Sequence, residues 1–155
     1  MAAAAMMVTA CGSSGGTQTA ETSTLNKVLE SGKLRVAILP DNPGWSTLGT
    51  DNDYHGIDAD IARLLAESLG VELEFQNTDG AGRVPMIQRD KADVVIACLT
   101  ATNERAKSVA FTDPYASGGI IGLCKSDHVL QSWDDMEGNK ITVARGSING
   151  TFAPE

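Results

Sequence analysis

The chain has 155 residues, with 12 Lys and Arg against 20 Asp and Glu, for a formal net charge of −8. That length is one domain, or one domain and a fragment of another, and 42% hydrophobic with 21% charged residues is an ordinary globular balance. The acidic balance, with no run of Lys or Arg, makes nucleic acid and anionic membrane surfaces poor partners. An aromatic content of 5% supplies no base-stacking platform, and no stretch approaches the roughly 20 apolar residues of a spanning helix.

The opening MAAAAMMVTA is small and apolar and leads to Cys11 and a polar GSSGGTQTAETST stretch. Val8-Thr9-Ala10-Cys11 resembles a bacterial lipobox, in which the cysteine becomes the lipidated first residue of the mature protein. Residues 1–24 then read as a lipoprotein signal remnant and flexible tether. The alternative is an Ala/Ser/Gly leader with an ordinary cysteine. No Lys or Arg precedes the apolar run, so the expectation is a true start further upstream.

Folding signals begin near Leu25. LNKVLES reads as a short helix ended by Gly32. Leu34 to Leu39 is a continuous apolar run that suits a strand buried on both faces. Residues 40–56, dense in Pro, Gly, Asn and Asp, read as loop. DADIARLLAESLG reads as an amphipathic helix, with Ile61, Leu64, Leu65 and Leu69 on one stripe, Asp58 as a cap and Gly70 at its end. VELEFQ alternates and reads as a strand, GRVPMIQRD as a short helix, ADVVIACL as a buried strand. TNERAKSV starts a helical turn capped by Thr102 or Asn103. GGIIGLCK and KITVAR read as two more strands, with a short helix at SWDDMEG between them. Alternation of strand and helix predicts α/β layering around a largely parallel sheet. Ligands bind such sheets beyond the strands' carboxyl ends, which draws attention to 40–45, 98–105 and 145–148.

The order of blocks carries a family resemblance: LRVAI, NPGW, GIDADIARLLAESLG, RVPMIQRDKADVVIA, LTATNERAKSVAFTDPY and DDMEGNKITVARGS. T-x-T-x-x-R followed by F-T-D-P-Y is the most specific of them. From Leu34 to about Gly150 the chain resembles the bacterial extracellular solute-binding proteins of family 3, the polar-amino-acid receptors of ABC importers. The resemblance implies an α/β, periplasmic-binding-protein type II-like fold of two lobes, with lobe 1 mostly present and lobe 2 incomplete. Lobe 1 would occupy 25–122, and the hinge and start of lobe 2 would occupy 123–155. It also implies capture of an L-amino acid, acidic or polar, delivery to an ABC permease in the membrane, and a monomeric protein held outside the cytoplasm through lipidated Cys11. An incomplete second lobe would leave strand edges unpaired, so weak binding or none is expected of this chain alone.

A zwitterion needs a cation and N–H donors for its carboxylate and acceptors for its ammonium. By resemblance Arg105, the arginine of T-x-x-R, takes the carboxylate, where guanidinium binds bidentately. Thr100 and the backbone of Cys98 would hydrogen-bond the ligand, and Gly146 and Ser147 would offer N–H groups from a turn at the head of a lobe 2 helix. The usual aromatic positions are Asn42 and Gly80 here, so Trp45 or Tyr54 would line the pocket or simply pack. Leu39 stands where receptors for basic amino acids carry an acid, which argues against a cationic ligand. Arg83, in R-V-P, resembles receptors for glutamate and aspartate and could pair with a side-chain carboxylate; the alternative is a solvated helix arginine.

Asp58 and Asp60 are explained by helix capping and charge at the helix start rather than by a catalytic dyad. Cys98 and Cys124 would form a disulfide only if the fold brings them together. His55 and His128 are too few and too far apart for zinc, and neither a metal, a cofactor nor a catalytic group is expected. Two other classes share the fold: ligand-sensing domains of membrane receptors, which a downstream membrane helix would mark, and periplasmic cyclohexadienyl dehydratases, which need a general acid in the cleft.

Overall fold

The computed structural model describes residues 23–152; Cys11 and the lipobox lie outside them. The centre is a parallel three-stranded sheet of order β5-β1-β6, formed by β1 (Lys33–Ile38), β5 (Glu72–Asn77) and β6 (Val94–Val95). β1 lies in the middle, with Val36 opposite Phe75 on one side and Val94 on the other. Its Leu34, Val36, Ala37 and Ile38 are all buried, as expected of a strand covered on both faces. β5 alternates, turning Leu73 and Phe75 onto the core.

Two helices cover the sheet. α1 (Thr24–Ser31) buries Val28 and ends at Gly32, whose φ is 66°. α2 (Ile57–Leu69) presents Ala59, Ala62 and Ala66 to the sheet, all buried. These small residues set which face turns inward. Leu64, expected on the apolar stripe, lies two residues from Ala62, on the far side at 100° per residue, and is 64% exposed. Gly70, at φ 67°, closes α2 with its own N–H on the Glu67 carbonyl and the Val71 N–H on Ala66, the paired bonds of a left-handed cap.

The stretch 40–56, expected as loop, holds a small antiparallel meander: β2 (Asp41–Asn42), β3 (Ser46–Leu48) and β4 (Tyr54–His55). These strands are too short and polar to show a period of two. Their tip packs Tyr54 on Phe75, with ring centroids 4.8 Å apart, so Tyr54 is a core residue rather than a pocket wall.

α3 (Arg83–Gln88) comes between β5 and β6, and α4 (Asn103–Ala106) follows β6. The expected strands GGIIGLCK and KITVAR are absent: no strand lies between 107 and 148, only a 3-10 turn at Asp134–Met136. A strand exists by pairing, and no described segment pairs with either. Ile121 and Leu123 are consequently 87% and 98% exposed. Among the described residues no helix is long and apolar enough to cross a membrane, and no cluster of His, Cys, Asp and Glu could hold a metal.

Candidate functional site

The site forms where β6 runs out into the loop 96–100. Ile96 still donates its N–H to the Ala37 carbonyl, 3.1 Å, and then the chain turns sharply at Cys98, whose φ is 46°. Arg83 opens α3 beneath this turn and is 5% exposed. Four of its five N–H donors reach backbone carbonyls: Nε to Gly80 (2.9 Å), Nη1 to Ala97 and Cys98 (3.0 Å each) and Nη2 to Gly146 (2.8 Å). Arg83 is thus not a solvated arginine, and the guanidinium expected to meet a ligand's side chain is largely committed to the loop around it.

Arg105 sits in α4, half-buried. Thr102 caps this turn by accepting the Arg105 backbone N–H, 3.2 Å. The guanidinium donates through Nη1 to the Thr100 carbonyl (2.7 Å) and through Nη2 to the Gly146 carbonyl (2.8 Å). The structure therefore brings together Arg105, Thr100, Cys98, Arg83 and Gly146. Gly146 has to be glycine: its φ is 79°, and a Cβ would lie 2.5 Å from the Ala81 nitrogen and from the Gly80 carbon. Gly80 is equally tight against the Arg145 carbonyl, so the 145–147 turn rests directly on the 80–81 loop.

Charge is distributed unevenly. Arg35 pairs with Asp90 and Asp93, and Arg63 with Asp53 and Asp60. Arg83 and Arg105 converge on one carbonyl oxygen, yet no carboxylate lies within ion-pair distance of either among the described residues. Burial, and then the charge of Arg105, push the Arg83 pKa down. Three N–H donors of Arg105 have no acceptor among the described residues.

Other expected residues fall differently. Ser147 donates its N–H to the Ala144 carbonyl, and its Oγ accepts from Asn149 at the start of α5 (Asn149–Phe152), so its backbone donor is used within the turn. The Thr100 hydroxyl is exposed, and it is the carbonyl that holds Arg105. Trp45 stands beside Tyr115, edge to face at 6.4 Å. Cys98 and Cys124 are both free thiols. A shallow cavity of about 200 Å³ between Gly122 and Met136, with Cys124 and Trp133 in its wall, contains none of the residues expected to bind ligand.

Asp58 and Tyr115 carry a role the sequence did not suggest. Asp58 does not cap α2, whose cap residue is Gly56 with no side-chain bond. It is fully buried, and Oδ1 accepts the Tyr115 hydroxyl at 2.7 Å. Burial raises its pKa against the opposing pull of Tyr115, the Cys98 N–H and Arg83; burial and the same bond raise Tyr115. The available signal was that both lie inside the blocks GIDAD and FTDPY.

A parallel α/β lobe with guanidinium donors at the strand ends is a binding lobe of the type II periplasmic class. The chain belongs to the bacterial extracellular solute-binding proteins, family 3, whose model matches residues 34–142. It is similar to the L-cystine-binding protein of Escherichia coli, 34% identical over 125 residues that cover 79% of this chain and 47% of that one. It is also similar to a cyclohexadienyl dehydratase of Pseudomonas aeruginosa, 32% identical over 138 residues, covering 86% and 52%. Among solved structures, an arginine-bound point mutant of domain 1 of the T. maritima protein ArgBP superposes with a TM-score of 0.58 at 35% identity, covering 61% of this chain and 74% of that domain. The chain spans about half the length of the curated relatives it matches.

Proposed function

We propose that this lobe captures an L-amino acid by its α-carboxylate outside the cytoplasm, for an ABC importer. The observation that carries the reading is the convergence of Arg83 and Arg105 with no carboxylate within ion-pair distance of either among the described residues, in a chain of net charge −8. Two guanidinium groups repel unless a negative oxygen lies between them. The Gly146 carbonyl supplies only a partial charge, and a ligand carboxylate supplies a full one and can bind the free donors of Arg105 bidentately. Arg105 is the ligand-binding arginine, and Thr100, Cys98, Gly146, Ser147 and Trp45 surround the bound molecule.

The side chain of the preferred ligand is neutral and polar. Leu39 offers no acid for a cation, and the commitment of Arg83 to carbonyls removes the case for an acidic ligand. Domain 1 of the T. maritima protein was crystallised arginine-bound, which supports binding by a single lobe and revises the expectation that this chain alone binds weakly or not at all. The same reading includes a monomeric protein, an ABC permease as partner and a lipid anchor at Cys11. The dehydratase relative favours a second reading, an enzyme acting on prephenate or arogenate. The buried carboxyl of Asp58 is 0% exposed and cannot reach such a substrate, so no general acid is assigned.

The test is calorimetric titration of the chain with L-glutamine, L-cystine, L-arginine and L-glutamate, and the same with Arg105→Ala. Binding led by L-glutamine and abolished by the substitution is expected. Equal binding by the variant would contradict the role of Arg105, and turnover of prephenate would establish the enzyme.

A further inference from the structure

We propose that the turn 145–147 is an autoinhibitory stand-in for the ligand: the Gly146 carbonyl oxygen fills the place between Arg83 and Arg105 that a ligand carboxylate takes, and binding displaces it. The choice of ligand rests on the amino-acid-binding reading, and the occupied place stands apart from it. Arg83 Nη2 and Arg105 Nη2 each donate to this one oxygen at 2.8 Å. Both lone pairs of the carbonyl are then used, and no second oxygen can stand at the same point. Nη2 is also the nitrogen common to both faces on which a guanidinium takes a carboxylate bidentately, end-on with Nη1 or side-on with Nε. The bond from Arg105 to Gly146 therefore falls on the edge that recognises a carboxylate.

The turn is seated to reach this place. Gly146, at φ 79°, brings its backbone so near the 80–81 loop that a Cβ would lie 2.5 Å from the Ala81 nitrogen and the Gly80 carbon. From the other side, a Cβ on Gly80 would lie 2.7 Å from the Arg145 carbonyl oxygen. Two positions without side chains face each other across the contact, and that closeness lets one carbonyl meet both guanidinium groups. The seat is also releasable. Residues 137–145, which lead into the turn, are all exposed. Ser147 uses its N–H within the turn, on the Ala144 carbonyl at 3.1 Å. The turn can back away as a unit without opening the core, and it then borders the bound molecule.

Charge decides the exchange. The carbonyl brings a partial negative charge to two cations, and a carboxylate brings a full one. A carboxylate that binds only when the turn has backed away shifts the population toward that state. Apparent affinity falls by the fraction of molecules in which the place is open. Unseating the turn should therefore tighten binding, whereas a turn that serves as a wall of the site would cost affinity when unseated. The two roles predict opposite signs.

The experiment uses the whole 155-residue chain, labelled with 13C and 15N, as wild type, Gly146→Ala and Gly80→Ala. Each is titrated with L-glutamine and, as the bare carboxylate, with acetate. In the wild type L-glutamine should move the carbonyl carbon of Gly146, the nucleus that senses loss of its two hydrogen bonds. Each substitution should tighten L-glutamine binding by roughly tenfold, the factor expected once a competitor held by charge-assisted bonds is removed. Unchanged or weaker binding in the variants, or a Gly146 carbonyl that stays unmoved while the ligand binds, would overturn the stand-in and leave the amino-acid reading in place. If Gly146→Ala fails to fold, Gly80→Ala decides by the same sign, since it presses on the same contact from the lobe side. If neither folds, the wild-type Gly146 carbonyl decides. Displacement by acetate without a response to L-glutamine would uphold the stand-in and refute the amino-acid reading. No response to either carboxylate in any chain that folds would overturn both.

Discussion

Arg83 and Arg105 differ less in sequence than in what burial makes of them. Arg83 is sealed beneath the site loop with four donors on carbonyls. Arg83→Ala strands those carbonyls, and we expect a loss of about 3 kcal/mol in urea unfolding, since each unsatisfied buried group costs about 1–3 kcal/mol. Arg105 is half-buried with two such bonds. Its truncation should cost about 1 kcal/mol of stability while abolishing binding, and the two readouts on the two variants separate a scaffold arginine from a ligand arginine. The place of Arg105 in a short helix beyond β6 was legible from T-x-T-x-x-R and its resemblance to the family motif; its part in binding is the proposal the titration tests. The commitment of Arg83 was not legible, because it depends on which carbonyls the loop at Cys98 brings together. For the same reason Asp58 read as a helix cap: a cap and a buried brace share one sequence position.

At the scale of elements, the sheet is locked by Arg35 of β1, which donates through its backbone N–H and Nε to Asp93 Oδ2 at 2.9 and 3.0 Å and through Nη2 to Oδ1 at 2.6 Å. Burial alone would raise the Asp93 pKa, but the hydrogen bonds from Arg35 outweigh it and hold the carboxyl below its ordinary 3.8. A carboxyl lowered in the folded state stabilises above its unfolded pKa, and that contribution disappears as pH falls through the folded value. Asp93→Asn should therefore cost about 2 kcal/mol at neutral pH, and the difference from wild type should shrink as pH is taken below 3.8; urea midpoints across pH check this. Asp58 works in the opposite sense: its raised pKa makes the charged form costly at neutral pH, and acid relieves that cost. Gly70 gives a simpler test. An added Cβ there meets nothing within 4 Å, so Gly70→Ala isolates the left-handed penalty of about 1–2 kcal/mol, visible as a lower thermal midpoint. Helix ends, β1 and β5 were legible because glycine punctuation and apolar period are local. The meander 40–56 was hidden by its short polar strands. The two strands expected at GGIIGLCK and KITVAR were over-read, since apolar alternation records a capacity to pair and pairing needs a second edge.

At the scale of the whole molecule, a packed α/β lobe carries an apolar extension. Leu123 is 98% exposed and Ile121 87%, enough to drive self-association at high concentration. Ile121→Lys with Leu123→Lys should raise solubility, measured by light scattering, and leave ligand response intact, because neither residue touches the site around Arg105. The family and the parallel sheet follow from patterns spread over the chain, whereas the ligand depends on a few side chains and on length this chain does not span. The most direct test of the account is an NMR titration of the labelled chain with L-glutamine, repeated with Arg105→Ala. The account predicts shifts centred on Cys98, Thr100, Arg105 and Gly146 that vanish in the variant. Shifts that persist without Arg105, or no response at millimolar ligand, would contradict it.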